Sequence, residues 1–318
     1  MSTYGRRMQR TVTATVLAAA LAVTTAACGD DSGDGPGGTS GGEKADIGLS
    51  TALGGVPLDQ AGETLTYWNV PEARRLVEQD RKLYEPLAGF GISEVVEAGY
   101  KGEAAREAVG FDETTVDTSV LVGSDATRLT GRFDVAAVTG AMKERGWTET
   151  KVDGAPLLSA EGARVTVSAD VRSSSGKDEG PLLPLSAPKD SVATDPAHRA
   201  AVDCLGDDAY LATFYGKDRP RQLPGLTLFA IGARAAEDGT SKERLCAVTQ
   251  SADAASAVAD ALRPKTAAGE RFAGARVDVG EGAAPVVRME WANTAEVGLR
   301  PGDQNRTGQL PQLLWGRR

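Results

Sequence analysis

The first 45 residues of this chain cannot join a folded core, so any fold must be built from residues 46–318. Residues 1–10 carry Arg6, Arg7 and Arg10 and no acid, and residues 11–27 then run without a charge, mostly Ala, Val, Leu and Thr. A positive flank, a short apolar stretch and small residues at its end form the pattern of a secretory signal. The apolar stretch is 17 residues long, at the bottom of the range around the roughly 20 that a spanning helix needs. A cleaved leader over residues 1–27 fits it better than a permanent span. Residues 29–45 read GDDSGDGPGGTSGGEKA, a Gly-, Ser- and Asp-rich composition that behaves as a flexible coil.

The junction between leader and coil is Thr25-Ala26-Ala27-Cys28-Gly29. Small residues directly before a cysteine resemble a bacterial lipobox, with Thr25 standing where Leu is usual. The resemblance implies diacylglycerol on the Cys28 thiol, cleavage before it, and acylation of the new N-terminus. The mature protein is then expected on the extracytoplasmic face of the cell membrane, lipid-anchored, with residues 28–45 as its tether. Two or more chains anchor stably, because each buried CH₂ contributes about 0.8 kcal/mol. The alternative is a soluble secreted protein cut near Ala27, with Cys28 a free thiol. Arg6-Arg7 suggests a twin-arginine route, but Gln9 and Arg10 stand where apolar residues are expected, and the export route stays open.

The chain has 35 basic and 44 acidic side chains and a net charge of −9. The leader holds three of the basic residues and no acid, so the mature chain carries −12. A negative surface argues against nucleic acid and anionic headgroups as partners. With Cys28 lipidated, Cys204 and Cys246 remain, and outside the cytoplasm two such thiols usually pair. A loop of that length closed by a disulfide is stabilised by roughly 4 kcal/mol in the chain-entropy model. The other reading is two separate buried thiols.

Punctuation divides the remainder into a first unit, 46–171, a Ser-, Pro- and Gly-rich linker or long loop, 172–193, and a second unit, 194–318. The first begins with a strand over residues 64–68. Asn69 is placed to cap a helix with Glu72 three residues on, and apolar residues at helical spacing continue to Leu87, with Asp80 as the polar exception. Short helices are expected near 92–98 and 102–109, and strands near 117–122 and 127–133. Asp134 caps a helix carrying Val135, Val138 and Met142, ended at Gly146. Strands near 147–152 and 164–171 close the unit. In the second, Asp195-Pro196 opens a helix that Gly206 closes. Strands near 209–215, 226–234 and 243–249 precede a Ser251-capped helix, and strands near 274–280 and 286–292 end the core. Both halves thus read strand, strand, capped helix, strand, strand. The expected fold class is α+β, two similar units of antiparallel sheet with helices packed on one face. With the Cys28 junction and its polar spacer, this outline resembles cell-envelope lipoproteins of the actinobacterial type, a resemblance that implies no activity.

The residues offer little catalytic chemistry. His198 is the sole histidine and is expected on the surface of its helix. No G-x-x-x-x-G-K-[ST] or C-x-x-C occurs, and the G-x-S-x-G pattern at residues 38–42 falls in the Gly-rich tether, not at a strand-to-helix turn. Carboxylates such as Glu94, Glu97, Asp207 and Asp208 read as solvated surface or turn chemistry. Tyr67 and Trp68 should point to opposite faces of their strand, so that one packs in a core and the other could line a groove. Leu310, Leu313, Leu314 and Trp315 form an apolar knot expected to dock back on the domain. No catalytic residue, cofactor or metal site is expected. The expected function is a membrane-anchored binding or structural module. Alternatives are a carrier that holds an apolar ligand between helices and sheet, and a carboxylate-dependent hydrolase.

Overall fold

In the computed structural model the described residues are 48–88, 92, 102–176, 180–216, 223–235, 240–282 and 284–315. The leader, Cys28, the tether, Glu94 and Glu97 lie outside them, as does nearly all of the segment 92–98. Residues 45–318 form one compact unit. Among the described residues no helix is long and apolar enough to cross a membrane.

The helices are α1 (Leu49–Leu53), α2 (Val70–Gln79), α3 (Glu103–Val109), α4 (Val135–Glu144), α5 (Pro196–Leu205), α6 (Ala252–Leu262), α7 (Asp303–Thr307) and α8 (Gln309–Trp315). The strands are β1 (Thr64–Asn69), β2 (Val116–Val122), β3 (Ala126–Gly131), β4 (Thr148–Val152), β5 (Ala155–Ala160), β6 (Ala163–Val167), β7 (Val171–Ser175), β8 (Leu211–Tyr215), β9 (Leu226–Ala235), β10 (Ser241–Thr249), β11 (Arg276–Val279) and β12 (Val286–Ala292). All twelve lie in one antiparallel sheet of order β11-β12-β10-β9-β8-β1-β2-β3-β7-β6-β5-β4. At its centre β1 pairs with β8, setting Leu65 opposite Phe214 and Tyr67 opposite Ala212.

Local chemistry accounts for the helix starts. The side chains of Asn69, Asp134, Asp195 and Ser251 each accept a hydrogen bond from a backbone N–H of the first turn that follows. Gly146 adopts φ +87° beyond α4, a conformation that costs glycine nothing. Helix α2 stops at Gln79, short of the expected Leu87. Asp80 turns the chain by accepting from the N–H groups of Lys82 and Leu83, and Tyr84 and Leu87 still reach the core from a turn.

Helices cover both faces of the sheet, where one face was expected. Leu228 and Ala230 of β9 pack in the cluster that holds α1 and α5, whereas Phe229 and Ile231 pack in the cluster that holds α6 and α8. Helix α2 and Val138 and Met142 of α4 pack on the same side as α6. The cause is visible in β8, LATFY, which is buried at every position. A strand without a polar face needs cover on both sides. Tyr67 and Trp68 do point to opposite faces, but both are buried, so neither lines a groove.

Two further differences concern residues 153–193. Asp153 and Gly154, both at positive φ, turn the chain between β4 and β5, as a two-residue Asp-Gly hairpin does; β5 was not expected. The strand expected over 164–171 ends at Val167 as β6, and a turn at Ser168, whose Oγ accepts from the Val171 N–H, leads into β7. Strand β7 occupies the first residues assigned to the linker. Of the rest, Leu183 is buried, and the carbonyls of Pro184 and Leu185 accept from the Arg128 guanidinium.

Candidate functional site

Strands β2, β3, β7 and β6 present one cross-strand row, Leu121–Thr127–Ser174–Val165, to the side covered by α3 and α4. Two residues back on β7, Arg172 points the same way, between Leu129 and Val167. Helices α3 and α4 contribute Ala108, Val109 and Met142 above this row, and Arg145 and Trp147 follow from the end of α4. Together with Ser124, Asp125 and Gly176 these residues line a half-open cavity of about 470 Å³. That volume falls within the roughly 300–1,000 Å³ of small-molecule sites.

The lining is mixed in kind. Val109, Leu121, Met142, Trp147 and Val165 supply apolar wall, and Thr127 and Ser174 supply hydroxyls. Arg172 is 1% exposed, and its guanidinium carbon lies 5.0 Å from the centroid of the Phe111 ring. A guanidinium over an aromatic face is attracted by the ring quadrupole, which offsets part of the cost of its burial. Arg164 also borders the cavity. It is opposite Ser175, which is opposite Ala126 of the α1–α5 face, so alternation sends its side chain to the other side of the sheet. Two arginines, Arg145 and Arg172, are therefore the cavity's own cations, beside one carboxylate, Asp125. Next to the cavity, Phe111 leads into Asp112. Burial opposes the charge of Asp112, but hydrogen bonds from Thr114 and the Arg106 guanidinium outweigh it and hold the carboxyl below its ordinary range.

Elsewhere the structure sorts the other expectations. Cys204 of α5 and Cys246 of β10 form a disulfide, with an S–S distance of 2.01 Å. Asp207 accepts from the Ser50 N–H at 2.6 Å and so caps the first turn of α1. Leu310 and Leu314 are fully buried, and Trp315 packs against Tyr215 and Phe229. His198 departs from expectation. It is 2% exposed, its Nδ1 lies 2.7 Å from an Asp195 carboxylate oxygen, and no nucleophile is hydrogen-bonded to its Nε2. Burial lowers its pKa more than Asp195 raises it. Among the described residues no group of three or more His, Cys, Asp or Glu is placed to hold a metal ion.

Arg172 escaped the sequence reading because it opens the Ser-rich stretch 172–175, which reads as loop. The signal was parity, with Arg172 and Ser174 on one side of a short strand and Val171, Ser173 and Ser175 on the other.

No family model matches the chain, and no curated protein matches it. Among solved structures the chain is similar to two crystal forms of TP0453. Both are 13% identical over 77% of this chain, covering 93% and 95% of theirs, with TM-scores of 0.43 and 0.44. At that distance the likeness says nothing of what this chain does.

Proposed function

We infer that the protein is an extracytoplasmic lipoprotein, held by acylated Cys28 and the 28–45 tether. In this reading it binds a small amphipathic anion between α3, α4 and the sheet. One observation carries the ligand reading: a mixed cavity holds a buried arginine in a chain whose mature charge is −12. An anionic head would meet Arg172, Arg145 and the hydroxyls of Thr127 and Ser174, and an apolar body would lie along Val109, Met142 and Trp147. Ionised donors give stronger hydrogen bonds to a carboxylate or phosphate than neutral ones. The site lies where a carrier of an apolar ligand would hold its cargo, but its charged floor favours a ligand with a head.

The expected duplication also finds support. Strands β1-β2-β3 lead into α4 and return through β7 beside β3. Strands β8-β9-β10 lead into α6 and return through β12 beside β10. We therefore read the two halves as one duplicated unit joined edge to edge at β1 and β8, with β4 and β5 added to the first.

The test is calorimetric titration of the mature chain with octyl phosphate, octanoate and octanol. Both anions are expected to bind and octanol to bind at least tenfold more weakly. Met142→Trp, which fills the apolar side, and Arg172→Gln should each weaken the anions by tenfold or more. Equal binding of octanol, or of all three ligands by Met142→Trp, removes the reading. Mass spectrometry of the membrane-bound protein should find acylated Cys28 at its N-terminus; a chain still starting at Met1 removes the anchor.

A further inference from the structure

The C-terminal segment 293–315 crosses the α6 side of the sheet as a strap, and one acid in the sheet holds it. Glu243 lies on β10 with Leu245 and Ala247 on the same side, and it is fully buried. Its Oε1 accepts from the Gly302 N–H at 2.9 Å and its Oε2 from Asn293 Nδ2 at 2.9 Å. Asn293 also accepts from Ser241 Oγ at 2.8 Å, and that hydroxyl is 2.8 Å from the Tyr210 hydroxyl. Both ends of the carboxyl are thus bound to the strap, one of them to its backbone. Gly302 sits at φ +84°, and a Cβ there would come to 3.0 Å from Leu211, so the turn that carries this N–H favours glycine. Beyond it, α8 lays Leu310, Leu314 and Trp315 over Tyr215 and Phe229.

Among the described residues Glu243 forms no salt bridge. Asp303 faces Glu243 from the strap and Tyr210 faces it from β8, with Tyr84 beside Tyr210. Arg300 is engaged by Glu85 and Asp303. The neighbouring cation on β10, Arg244, points to the other side, where it pairs with Glu290 and donates to the Cys204 carbonyl.

We propose that Glu243 is a proton-operated clasp: its protonated carboxyl holds the strap 293–315 on the sheet, and its ionisation loosens the strap and uncovers Tyr215 and Phe229. Burial is the main cause of the bias, with Asp303 adding to it. Together they push the carboxyl from the ordinary 4.5 up to about 7 against the hydrogen bonds it accepts. The sign follows from linkage. A raised carboxyl pKa gives stability that is complete below 4.5 and lost as pH rises through 7. An open strap frees the acid to titrate normally, so the opening constant rises with pH across that window.

The experiment is hydrogen exchange of the mature chain from pH 5 to pH 8, corrected for the intrinsic exchange rate. Peptides from 293–315 are compared with peptides from β1 and β2. The strap's opening constant should rise about 70-fold between pH 5 and pH 8, most steeply below pH 7 and levelling off above it, the factor set by that difference in pKa. Strands β1 and β2 should stay level. Glu243→Gln should flatten the strap's profile. Should that variant not fold, infrared titration of the native chain reads the same acid: a protonated carboxyl band must survive to about pH 7. A flat strap profile, an equal rise in β1 and β2, the same profile in Glu243→Gln, or a carboxyl band lost by pH 5 overturns the clasp.

Discussion

His198 shows what one buried titratable ring does to the whole chain. Its ring lies 5.6 Å from that of Phe214, inside the cluster that joins α1 and α5 to the sheet. Burial depresses its pKa below the ordinary 6.5, so folding favours the neutral ring. Stability is then present above 6.5 and lost as pH falls through the lower, folded value. Asp112, Asp195 and Glu290, whose pKa values are also lowered, lose their share below the ordinary carboxylate range. Denaturant unfolding between pH 4 and pH 7 should therefore show a falling limb that begins just below 6.5, and His198→Leu should remove its upper part. An unchanged limb in that variant shows that the ring is not its source. Glu243 works in the opposite direction between 4.5 and 7, so the two offset each other there, and the His198 limb is read as the difference between the native chain and His198→Leu. Neither burial could be read from the sequence. His198 stands beside Arg199 in a helix start and Glu243 between Lys242 and Arg244, and only the parity of Glu243 with Leu245 and Ala247 hinted at the second.

At the scale of elements, helix starts and turns are set within a few residues of themselves, and these are where expectation and structure agree best. Asp134 Oδ1 accepts from the N–H groups of Ala136 and Ala137 at 2.9 and 3.0 Å. Those donors have no partner in their own first turn. Asp134→Ala should cost about 1 kcal/mol of unfolding free energy, read as a shift of the urea midpoint at unchanged slope. A change below about 0.3 kcal/mol would mean that water serves those groups equally well. The cap also matters to the cavity, since α4 carries Met142 and leads to Arg145 and Trp147. Expectation failed where two short strands share a polar stretch. Ser168 to Asp170 carry no glycine or proline to mark the turn, so the pattern of β6 reads on to residue 171, and the Ser-rich residues of β7 from Arg172 read as linker.

For the whole molecule the issue is whether the halves are domains. Strands β1 and β8 form one continuous ladder, and Tyr67 and Leu65 share a cluster with Val202, Leu205 and Phe214. The strap adds a second tie, with Arg300 engaging Glu85. Residues 46–193 and 194–318 made separately should each lack a cooperative thermal transition, because each would expose one side of the β1–β8 seam and an open apolar cluster. A cooperative transition in either half would show a self-sufficient core. The Cys204–Cys246 disulfide lies wholly within the second half, so oxidation alone should not rescue it.

The caps, most strands and the antiparallel sheet of an α+β fold were legible in the chain alone. Each depends on residues close together in sequence: a hydrophobic run, a side chain three positions from an amide, an alternation of two. Tertiary structure alone decided that the halves share one sheet, that helices cover both of its faces, and that Arg172, Glu243 and His198 are buried. Those outcomes depend on which surfaces meet across a hundred or more residues, and desolvation, which sets the behaviour of all three, is a property of the surroundings and not of the residue.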